Sequence, residues 1–337
     1  MMKLLIGTYT TGTASEGVYE AALDVRTGAL SHLRAVGSVP DPSYLISTGE
    51  GRIYAVCESP AFHGKPGGGV MSLLRLPDGR LVSDGALPSG GQAPCHLAIG
   101  EAGTRLAVAN YGDGVLSVFS LAPDGALREQ AASFVYTAKG ANAARQECAH
   151  AHFAAFACGE ILCCDLGGDC IRRYDARTLD SLAPVRLPAG CGPRHLLRRP
   201  GGALYVVSEL TSELFTLMPD GRGGCELIDV QSCLPQGAGE SWAAALREGE
   251  DGRLFVSNRG HDSVAVFRLG ADGIPIREGV YPCGGRYPRD ILPVGEGLML
   301  CACQNADEVT CLREEAGGWS VVSRLAVPAP VCLLRVE

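Results

Sequence analysis

Short runs in which hydrophobic and polar residues alternate recur along the whole chain, separated by turns rich in glycine, proline and aspartate. Clear examples lie at residues 114–120, 212–217 and 262–269. Alternation with a period of two residues is typical of β-strands, and Asp-Gly turns such as Asp124-Gly125 connect antiparallel hairpins. A helical period of 3.6 residues extends over no long window of the sequence. The pattern therefore predicts an all-β chain.

The strands are organised into a repeat. Each copy has an anchor residue, a glycine-containing turn, an apolar second strand that ends in a polar residue, a third alternating strand and a weaker fourth. Four strands in about 48 residues are typical of one β-propeller blade, and seven such copies fill the chain. The anchors are Tyr44, His96, His152, His195, Ala244, Asp290 and Cys332. The polar residues that end the second strands are Glu58, Asn110, Asp165, Glu209, Asn258 and Gln304.

The two ends of the chain carry complementary parts of one copy. The seventh copy has only its first strand, at residues 332–336, and the chain begins with strands at residues 3–9 and 17–23 that lack a first strand. Pairing these segments in one blade would close the ring and remove two bare sheet edges. We therefore expect a seven-bladed β-propeller of four-stranded antiparallel blades, forming a single domain over residues 1–337. A β-sandwich with coincidental spacing is the structural alternative.

Composition and charge limit the kinds of molecule that the protein is expected to bind. The chain has 337 residues and a formal net charge of −8, which disfavours a nucleic acid or an anionic membrane as partner because both need a basic surface. The N-terminal segment has no signal-peptide pattern, and no apolar run approaches the roughly 18 residues of a membrane span. We expect a cytoplasmic protein that acts on a small molecule. The sequence gives no indication of its oligomeric state.

Cysteine is unusually frequent, with 15 residues. Their number is odd, no Cys-x-x-Cys occurs, and many lie in apolar strands such as residues 161–164 and 300–303. In such runs cysteine behaves as a small buried hydrophobe. We expect reduced, structural thiols, with a redox or metal role as the alternative.

Polar residues at the anchors and strand ends are the candidate site. In a propeller the first strands line a central channel, so residues far apart in the chain become neighbours. Arginines there either form structural ion pairs or capture a phosphate or carboxylate, and each histidine is either a core residue or a functional one. The His150-x-His152 spacing permits a metal site, but a clear third ligand is missing and no metal is expected. The set comprises His96, His150 or His152, His195, Glu58, Asp165, Glu209, Arg259, Arg289 and Asp290, with Arg194 beside its anchor.

With these residues in view, the sequence resembles the lactonase family of seven-bladed propellers, which includes propeller-type 6-phosphogluconolactonases and carboxy-cis,cis-muconate cyclases. The resemblance extends nearly from end to end. It rests on the motifs at residues 7–10, 42–45, 108–114, 146–152, 165–169, 192–196, 257–263 and 288–290.

The resemblance implies an active cleft made of one histidine, one glutamate and two arginines, without metal or cofactor. The histidine is His150 or His152, the glutamate is Glu209, and the arginines are Arg194 and Arg259. The sequence departs from the family pattern in its many cysteines, among them Cys148 and Cys95 beside motif histidines, which leaves the substrate open. Further candidates for substrate binding are His195, Arg289, Asp165, Asn258 and His96.

The expected activity is hydrolysis of a sugar-derived lactone, with 6-phosphogluconolactone as the leading substrate. Glu209 or a histidine of the 150/152 pair would take a proton from water, and the arginines would hold the phosphate or the developing oxyanion. The absence of a Gly-x-Ser-x-Gly motif disfavours a serine hydrolase. The alternatives are a cyclo-isomerase acting on a muconate-type diacid and a non-catalytic binding scaffold. A Gly-rich loop at residues 63–69 is a candidate lid.

Overall fold

The computed structural model of the chain describes residues 1–49 and 51–336. These residues form β-strands and one short 3-10 turn, Gln304–Ala306, and they contain no α-helix. Accordingly, no helix in the described part of the chain is long and apolar enough to cross a membrane. The all-β prediction from the alternating pattern is confirmed.

The strands are numbered in chain order. The first nine are β1 (Met2–Thr8), β2 (Val18–Asp24), β3 (Ala29–Gly37), β4 (Leu45–Ser47), β5 (Arg52–Cys57), β6 (Ala61–Phe62), β7 (Lys65–Pro66), β8 (Gly69–Arg75) and β9 (Leu81–Pro88). The next eight are β10 (Pro94–Ile99), β11 (Arg105–Asn110), β12 (Val115–Leu121), β13 (Leu127–Val135), β14 (Ala151–Ala157), β15 (Glu160–Asp165), β16 (Cys170–Asp175) and β17 (Ser181–Arg186).

The remaining strands complete three further groups of four and a last single strand. They are β18 (Pro193–Arg198), β19 (Leu204–Ser208), β20 (Glu213–Pro219), β21 (Cys225–Ser232), β22 (Trp242–Glu248), β23 (Leu254–Arg259), β24 (Ser263–Leu269), β25 (Pro275–Pro282), β26 (Pro288–Gly295), β27 (Leu298–Cys303), β28 (Glu308–Glu315), β29 (Gly318–Ala326) and β30 (Pro330–Val336).

These strands form seven four-stranded sheets. Five of them take consecutive strands in order, beginning at β10, β14, β18, β22 and β26, and a sixth has the order β4-β5-β8-β9. The seventh has the order β3-β2-β1-β30, so the two ends of the chain share a sheet as predicted. Its register pairs Lys3 with Val336 and Ile6 with Leu333 in antiparallel fashion.

The position of a strand in its sheet explains its residue pattern. Second strands such as β5 and β23 are buried at every residue, because both faces of the sheet are covered there. The fourth strand β21 alternates strictly between more and less exposed residues. The predicted Asp-Gly turns are confirmed at Gly125 and Gly273, which have φ of +79° and donate their amides to the carbonyls of Ala122 and Gly270.

The candidate lid loop at residues 63–69 overlaps the short hairpin of β6 and β7, with β6 just before the loop and β7 inside it. His63 stacks on Phe62 with ring centroids 4.1 Å apart. A role for this hairpin in covering a site stays a prediction.

The described residues form two compact units. The first comprises Met1–Ser15, Tyr19–Ala35 and Arg194–Glu337, and the second comprises Glu16–Val18 and Val36–Pro193. The first holds most of the β3-β2-β1-β30 sheet and the sheets from β18 to β29, and the second holds the sheets from β4 to β17. A single domain over residues 1–337 stays a prediction.

Candidate active site

In the first unit, Glu209 lies between two arginines. Arg194 is the second residue of β18, Glu209 directly follows β19, and Arg259 ends β23. The Arg194 Nε and the Arg259 Nη2 donate to the same carboxylate oxygen, Oε2 of Glu209, at 2.9 and 2.8 Å. All three side chains are nearly excluded from solvent, with 3–6% of each exposed. The structure thus brings together three residues that the sequence singled out.

The surroundings hold the two guanidinium groups in place. Arg194 donates through Nη1 to Nε2 of His195 at 3.0 Å, so that ring nitrogen acts as an acceptor. Arg259 donates to the carbonyl of Trp242 and lies over the ring of Tyr287, 5.3 Å from its centroid. The two arginines and Glu209 together carry one more positive than negative charge, which favours the binding of an anion in a buried setting.

In the second unit, the His150-x-His152 motif lies where the loop before β14 passes into the strand, with His150 in the loop and His152 as the second residue of β14. Gln146 is buried, with 1% exposed, and its amide donates to the carbonyl of Leu166 at 2.8 Å and to the carboxylate of Asp169 at 2.7 Å. Its side-chain oxygen accepts from the amide of Asn142. These bonds fix the loop, so that the residues after Gln146 start from a defined position.

The imidazole of His150 is oriented by Tyr111. Its Nδ1 lies 2.8 Å from the Tyr111 carbonyl oxygen, and the two rings stack 4.2 Å apart with an interplanar angle of 12°. Because a carbonyl only accepts, Nδ1 carries the proton and a neutral ring keeps its lone pair on Nε2. That nitrogen lies 3.4 Å from a carboxylate oxygen of Glu147. His150 therefore has the geometry of a general base with a carboxylate beside it.

The thiol of Cys148, beside His150, lies near several carboxylates. Burial, and after it the charges of Glu147, Asp113 and Asp165, raise the pKa of Cys148. The pKa of Glu147 is lowered, chiefly by a backbone hydrogen bond and further by His150. At neutral pH Cys148 is therefore a thiol beside a carboxylate rather than a reactive thiolate.

A β-bulge recurs near the start of several first strands. In β14, Ala151 pairs with Asp165 and Phe153 with Cys164, so the register shifts at His152. Cys95 in β10 and Arg289 in β26 occupy the same bulged position. His152 is thus structurally equivalent to Cys95 and Arg289. The repeat aligns His152 with His96 and Asp290, which lie one residue further along their strands. Bulges re-aim side chains and are frequent next to active sites.

Two predicted substrate-binding residues of the second unit have internal contacts. Asp165 is fully buried, and its carboxylate accepts from the amides of His150 and Gly168 and from the guanidinium of Arg172. A side chain at Gly168 would place its Cβ 2.3 Å from that carboxylate, which explains the glycine. His96 lies between the rings of Tyr44 and Phe153, 4.0 and 3.8 Å away. These contacts indicate structural roles, and substrate binding by Asp165 or His96 stays a prediction.

The two corresponding candidates of the first unit, Asn258 and Arg289, differ in their contacts. Asn258 is fully buried and donates to the carbonyl of Cys233 at 2.9 Å and to the hydroxyl of Ser263 at 3.2 Å, which indicates an internal role. Arg289 is partly exposed and lies over the ring of Tyr9, 5.2 Å from its centroid. Its position in a bulge of β26 is more compatible with a ligand contact than that of Asn258.

Known proteins resemble this chain over nearly its whole length. The chain matches the family described as Lactonase, 7-bladed beta-propeller, over residues 3–335. It belongs to the lactonase family. A 6-phosphogluconolactonase of Bacillus subtilis (strain 168) is 29% identical to it over 97% of this chain and 96% of the relative. The predictions of a seven-bladed propeller and of a lactone hydrolase are therefore confirmed for this lactonase.

Solved structures agree with the family. A periplasmic gluconolactonase of Pseudomonas aeruginosa, PpgL, has a TM-score of 0.91 with this lactonase at 26% identity, covering 100% of this chain and 99% of that one. A protein from Lactobacillus plantarum gives 0.91 at 27% identity, with the same coverage. The similarity covers the whole described chain rather than a single sheet.

Sequence reasoning did not assign a role to two aromatic residues of the lactonase. Tyr111 orients His150, and the Arg259 guanidinium lies over the ring of Tyr287. Tyr111 lies inside the motif at 108–114, and Tyr287 directly precedes the motif at 288–290. Their position at those motifs was the available signal.

Proposed function

We propose that this lactonase hydrolyses a sugar-derived lactone, with 6-phosphogluconolactone as the preferred substrate. The observation that carries the proposal is the buried group of Glu209 with Arg194 and Arg259, which has one excess positive charge. A phosphate on the substrate, or the oxyanion formed at its carbonyl, is the kind of group that such a pair of guanidiniums binds. The names of the relatives support the same substrate class.

The chemistry requires few groups. Water adds to the lactone carbonyl and loses a proton, an oxyanion forms, and the ring C–O bond then breaks to give a carboxylate and a hydroxyl. The proposal assigns the proton transfer to His150, whose Nε2 carries the lone pair and lies 3.4 Å from a carboxylate oxygen of Glu147. General base catalysis of this kind contributes about 10²–10⁴-fold. His152 and Glu209 are the other candidates for the base.

Arg194 and Arg259 take the electrostatic role. A preorganised donor aimed at a developing oxyanion is worth about 3 kcal/mol, and Glu209 keeps both guanidiniums at a fixed distance from one carboxylate oxygen. His195, which accepts from Arg194, positions that arginine from its other side. Arg289 is proposed as a further contact to the anionic part of the substrate, and the cytoplasmic location remains part of the proposal.

Kinetics with two matched lactones tests the proposal. We expect kcat/KM for 6-phosphogluconolactone to exceed that for gluconolactone by at least about 10-fold, because a bidentate ionic contact contributes about 1.5–3 kcal/mol. Arg194→Ala should remove most of this preference, and His150→Ala should lower kcat for both lactones. Ring opening no faster than the spontaneous reaction would refute the proposal, and loss of diene absorbance from a muconate-type diacid would favour the cyclo-isomerase.

The histidine and the arginines are expected to serve one reaction, as the family resemblance implies. A double variant, His150→Ala with Arg194→Ala, tests this kinetically. Residues that act in one step give non-additive losses. Strictly additive losses in ln(kcat/KM) would mean that the two groups act in separate steps.

A further inference from the structure

Three side chains with different donor atoms meet in the loop before β14. They are Glu147, Cys148 and His150, and one donor atom from each lies within 4.8 Å of the other two. The Cys148 Sγ is 3.7 Å from Nε2 of His150, and a Glu147 carboxylate oxygen is 3.4 Å from the same nitrogen. A nitrogen, a sulfur and an oxygen thus lie close together.

The histidine of this group is held as metal-binding histidines usually are. Its Nδ1 donates to the Tyr111 carbonyl at 2.8 Å, which fixes the tautomer and leaves the lone pair on Nε2, the ring nitrogen that lies near Glu147 and Cys148. Only 3% of His150 is exposed, and its ring is further immobilised by stacking on Tyr111. A backbone acceptor for the second ring nitrogen is a recurrent feature of metal sites.

The spacing of the donor atoms matches a tetrahedral ion. Bonds of about 2.3 Å to sulfur and about 2.0–2.1 Å to nitrogen and oxygen place tetrahedral ligand atoms roughly 3.3–3.6 Å apart. The observed distances from Nε2 of His150 are 3.4 Å to the carboxylate oxygen and 3.7 Å to the sulfur. The Cys148 Sγ is also 4.0 Å from Nδ1 of the same ring, so it lies beside the imidazole rather than along the Nε2 lone pair. A rotation of the Cys148 side chain is therefore needed to bring the sulfur to the ion. Glu147 is exposed, which leaves the fourth position accessible to water.

We propose that Glu147, Cys148 and His150 bind a thiophilic divalent cation of the Zn²⁺ type. Mixed nitrogen, sulfur and oxygen donors select such an ion over Mg²⁺ or Ca²⁺, which prefer oxygen alone. Binding releases the thiol proton to solvent, so the site contributes one thiolate and one carboxylate. Asp113 and Asp165 add negative charge near Cys148, while Lys139 opposes it.

This ion is not a cofactor of the hydrolysis. It would occupy the Nε2 lone pair of His150, and it would therefore inhibit the enzyme, a consequence that rests on the proposed role of His150 as base. The site differs from the metal-free expectation because it uses only one histidine of the His150-x-His152 pair and takes its other two ligands from Glu147 and Cys148.

Titration of the purified protein with Co²⁺ tests the site directly. We expect a thiolate-to-cobalt charge-transfer band in the near ultraviolet that saturates at one ion per chain and is abolished by Zn²⁺. Cys148→Ser should remove the band. Glu147→Gln, which leaves the thiol in place, should weaken binding at least about 10-fold, since each ligand of a three-residue site carries a large share of the affinity.

Cys158 provides the matched control. It is an exposed free cysteine of the same unit, and Cys158→Ser should leave the band unchanged. Absence of a band in the unmodified protein, or a band that persists in Cys148→Ser, would overturn the proposal.

Inhibition separates this inference from the proposed function. We expect Zn²⁺ to lower the lactonase rate and Cys148→Ser to raise the inhibitory concentration by at least about 10-fold. A cobalt band without inhibition would support the metal site and contradict the role of His150 as base. Lactonase activity in a protein that gives no band would support the proposed function and refute the metal site.

Discussion

Asp165 and Glu209 both lie at the end of the second strand of a blade, and both carboxylates are buried, but Asp165 is the last residue of β15 whereas Glu209 directly follows β19. Their partners differ. Asp165 accepts from two backbone amides and from Arg172, whose side chain is 22% exposed. Glu209 accepts from Arg194 and Arg259, both almost fully buried. The end of a second strand thus supports two different kinds of carboxylate site.

The difference lies in what the partners can do besides holding the carboxylate. Backbone amides are fixed by the fold, so the Asp165 bonds determine how the chain turns after β15. Guanidinium groups have five donors each, and a pair of them around one carboxylate retains excess positive charge. The comparison assigns Asp165 to the fold and Glu209 to the proposed chemistry.

The largest expected effect is on catalysis. Glu209→Gln should lower kcat about 10²–10³-fold, because loss of the charge releases both guanidiniums from their positions and a misplaced electrostatic donor costs this much. Asp165→Asn should lower kcat of the folded protein by less than about 10-fold, since the amide oxygen still accepts from the backbone. Steady-state kinetics, with circular dichroism to verify folding, measures both. A larger catalytic loss in the Asp165 variant would reverse the assignment.

The next effect is on stability. Asp165→Ala should lower the free energy of unfolding by about 3 kcal/mol, because it leaves two buried amides without their acceptor and Arg172 without its carboxylate. This value lies at the lower end for a broken buried pair, since the Arg172 side chain is partly exposed. Urea denaturation measures the change. A loss below about 1 kcal/mol would show that water replaces the carboxylate and that Asp165 does not hold the turn.

The sequence predicted the blades well because their signal is local and repeated. Strand alternation, Asp-Gly turns and the incomplete seventh copy led to seven four-stranded sheets and to the shared sheet of β1 and β30, all of which the structure contains. The same reasoning placed Arg194, Glu209 and Arg259 together, because each lies at or beside an anchor or a second-strand end in neighbouring copies.

The position of His152 could not be predicted in the same way. A bulge adds a residue to the strand without a change in composition, and the β14–β15 hairpin is shorter than the β10–β11 hairpin, so counting from the strand end misplaced the anchor. Nor does spacing reveal whether a polar strand-end residue contacts backbone or ligand. Asp165 and Asn258 contact the protein interior, and only coordinates separate them from Glu209.

Asparagine at the same strand-end position extends the comparison to neutral side chains. Asn110 is fully buried, and its Nδ2 donates to the carbonyl of Val115 at 3.0 Å. Asn110→Ala should lower the free energy of unfolding by about 1–3 kcal/mol, the cost of leaving a buried acceptor without a donor, and should leave KM unchanged. Asn258→Ala should cost a similar amount by urea denaturation. A raised KM in the Asn258 variant alone would support the predicted substrate contact.

The smallest effect concerns a carboxylate on an exposed turn, which tests whether backbone amides alone make an aspartate structural. Asp175 accepts from the amides of Thr178 and Arg177 at 2.7 and 2.8 Å, and these bonds lower its pKa below the ordinary value of 3.8. Its contribution to stability is therefore present above that value and is lost as the pH falls through the lowered pKa of the folded state.

Asp175→Asn keeps the acceptor oxygen and removes the charge. The unmodified protein should melt slightly higher than this variant at neutral pH, and the difference should vanish as the pH falls through the lowered pKa of Asp175. Thermal denaturation at a series of pH values measures it. A difference that stays constant with pH would mean that the charge contributes nothing and that Asp175 acts only through its geometry. In that case the structural role of Asp165 would be attributed to its ion pair with Arg172 rather than to the amides of His150 and Gly168.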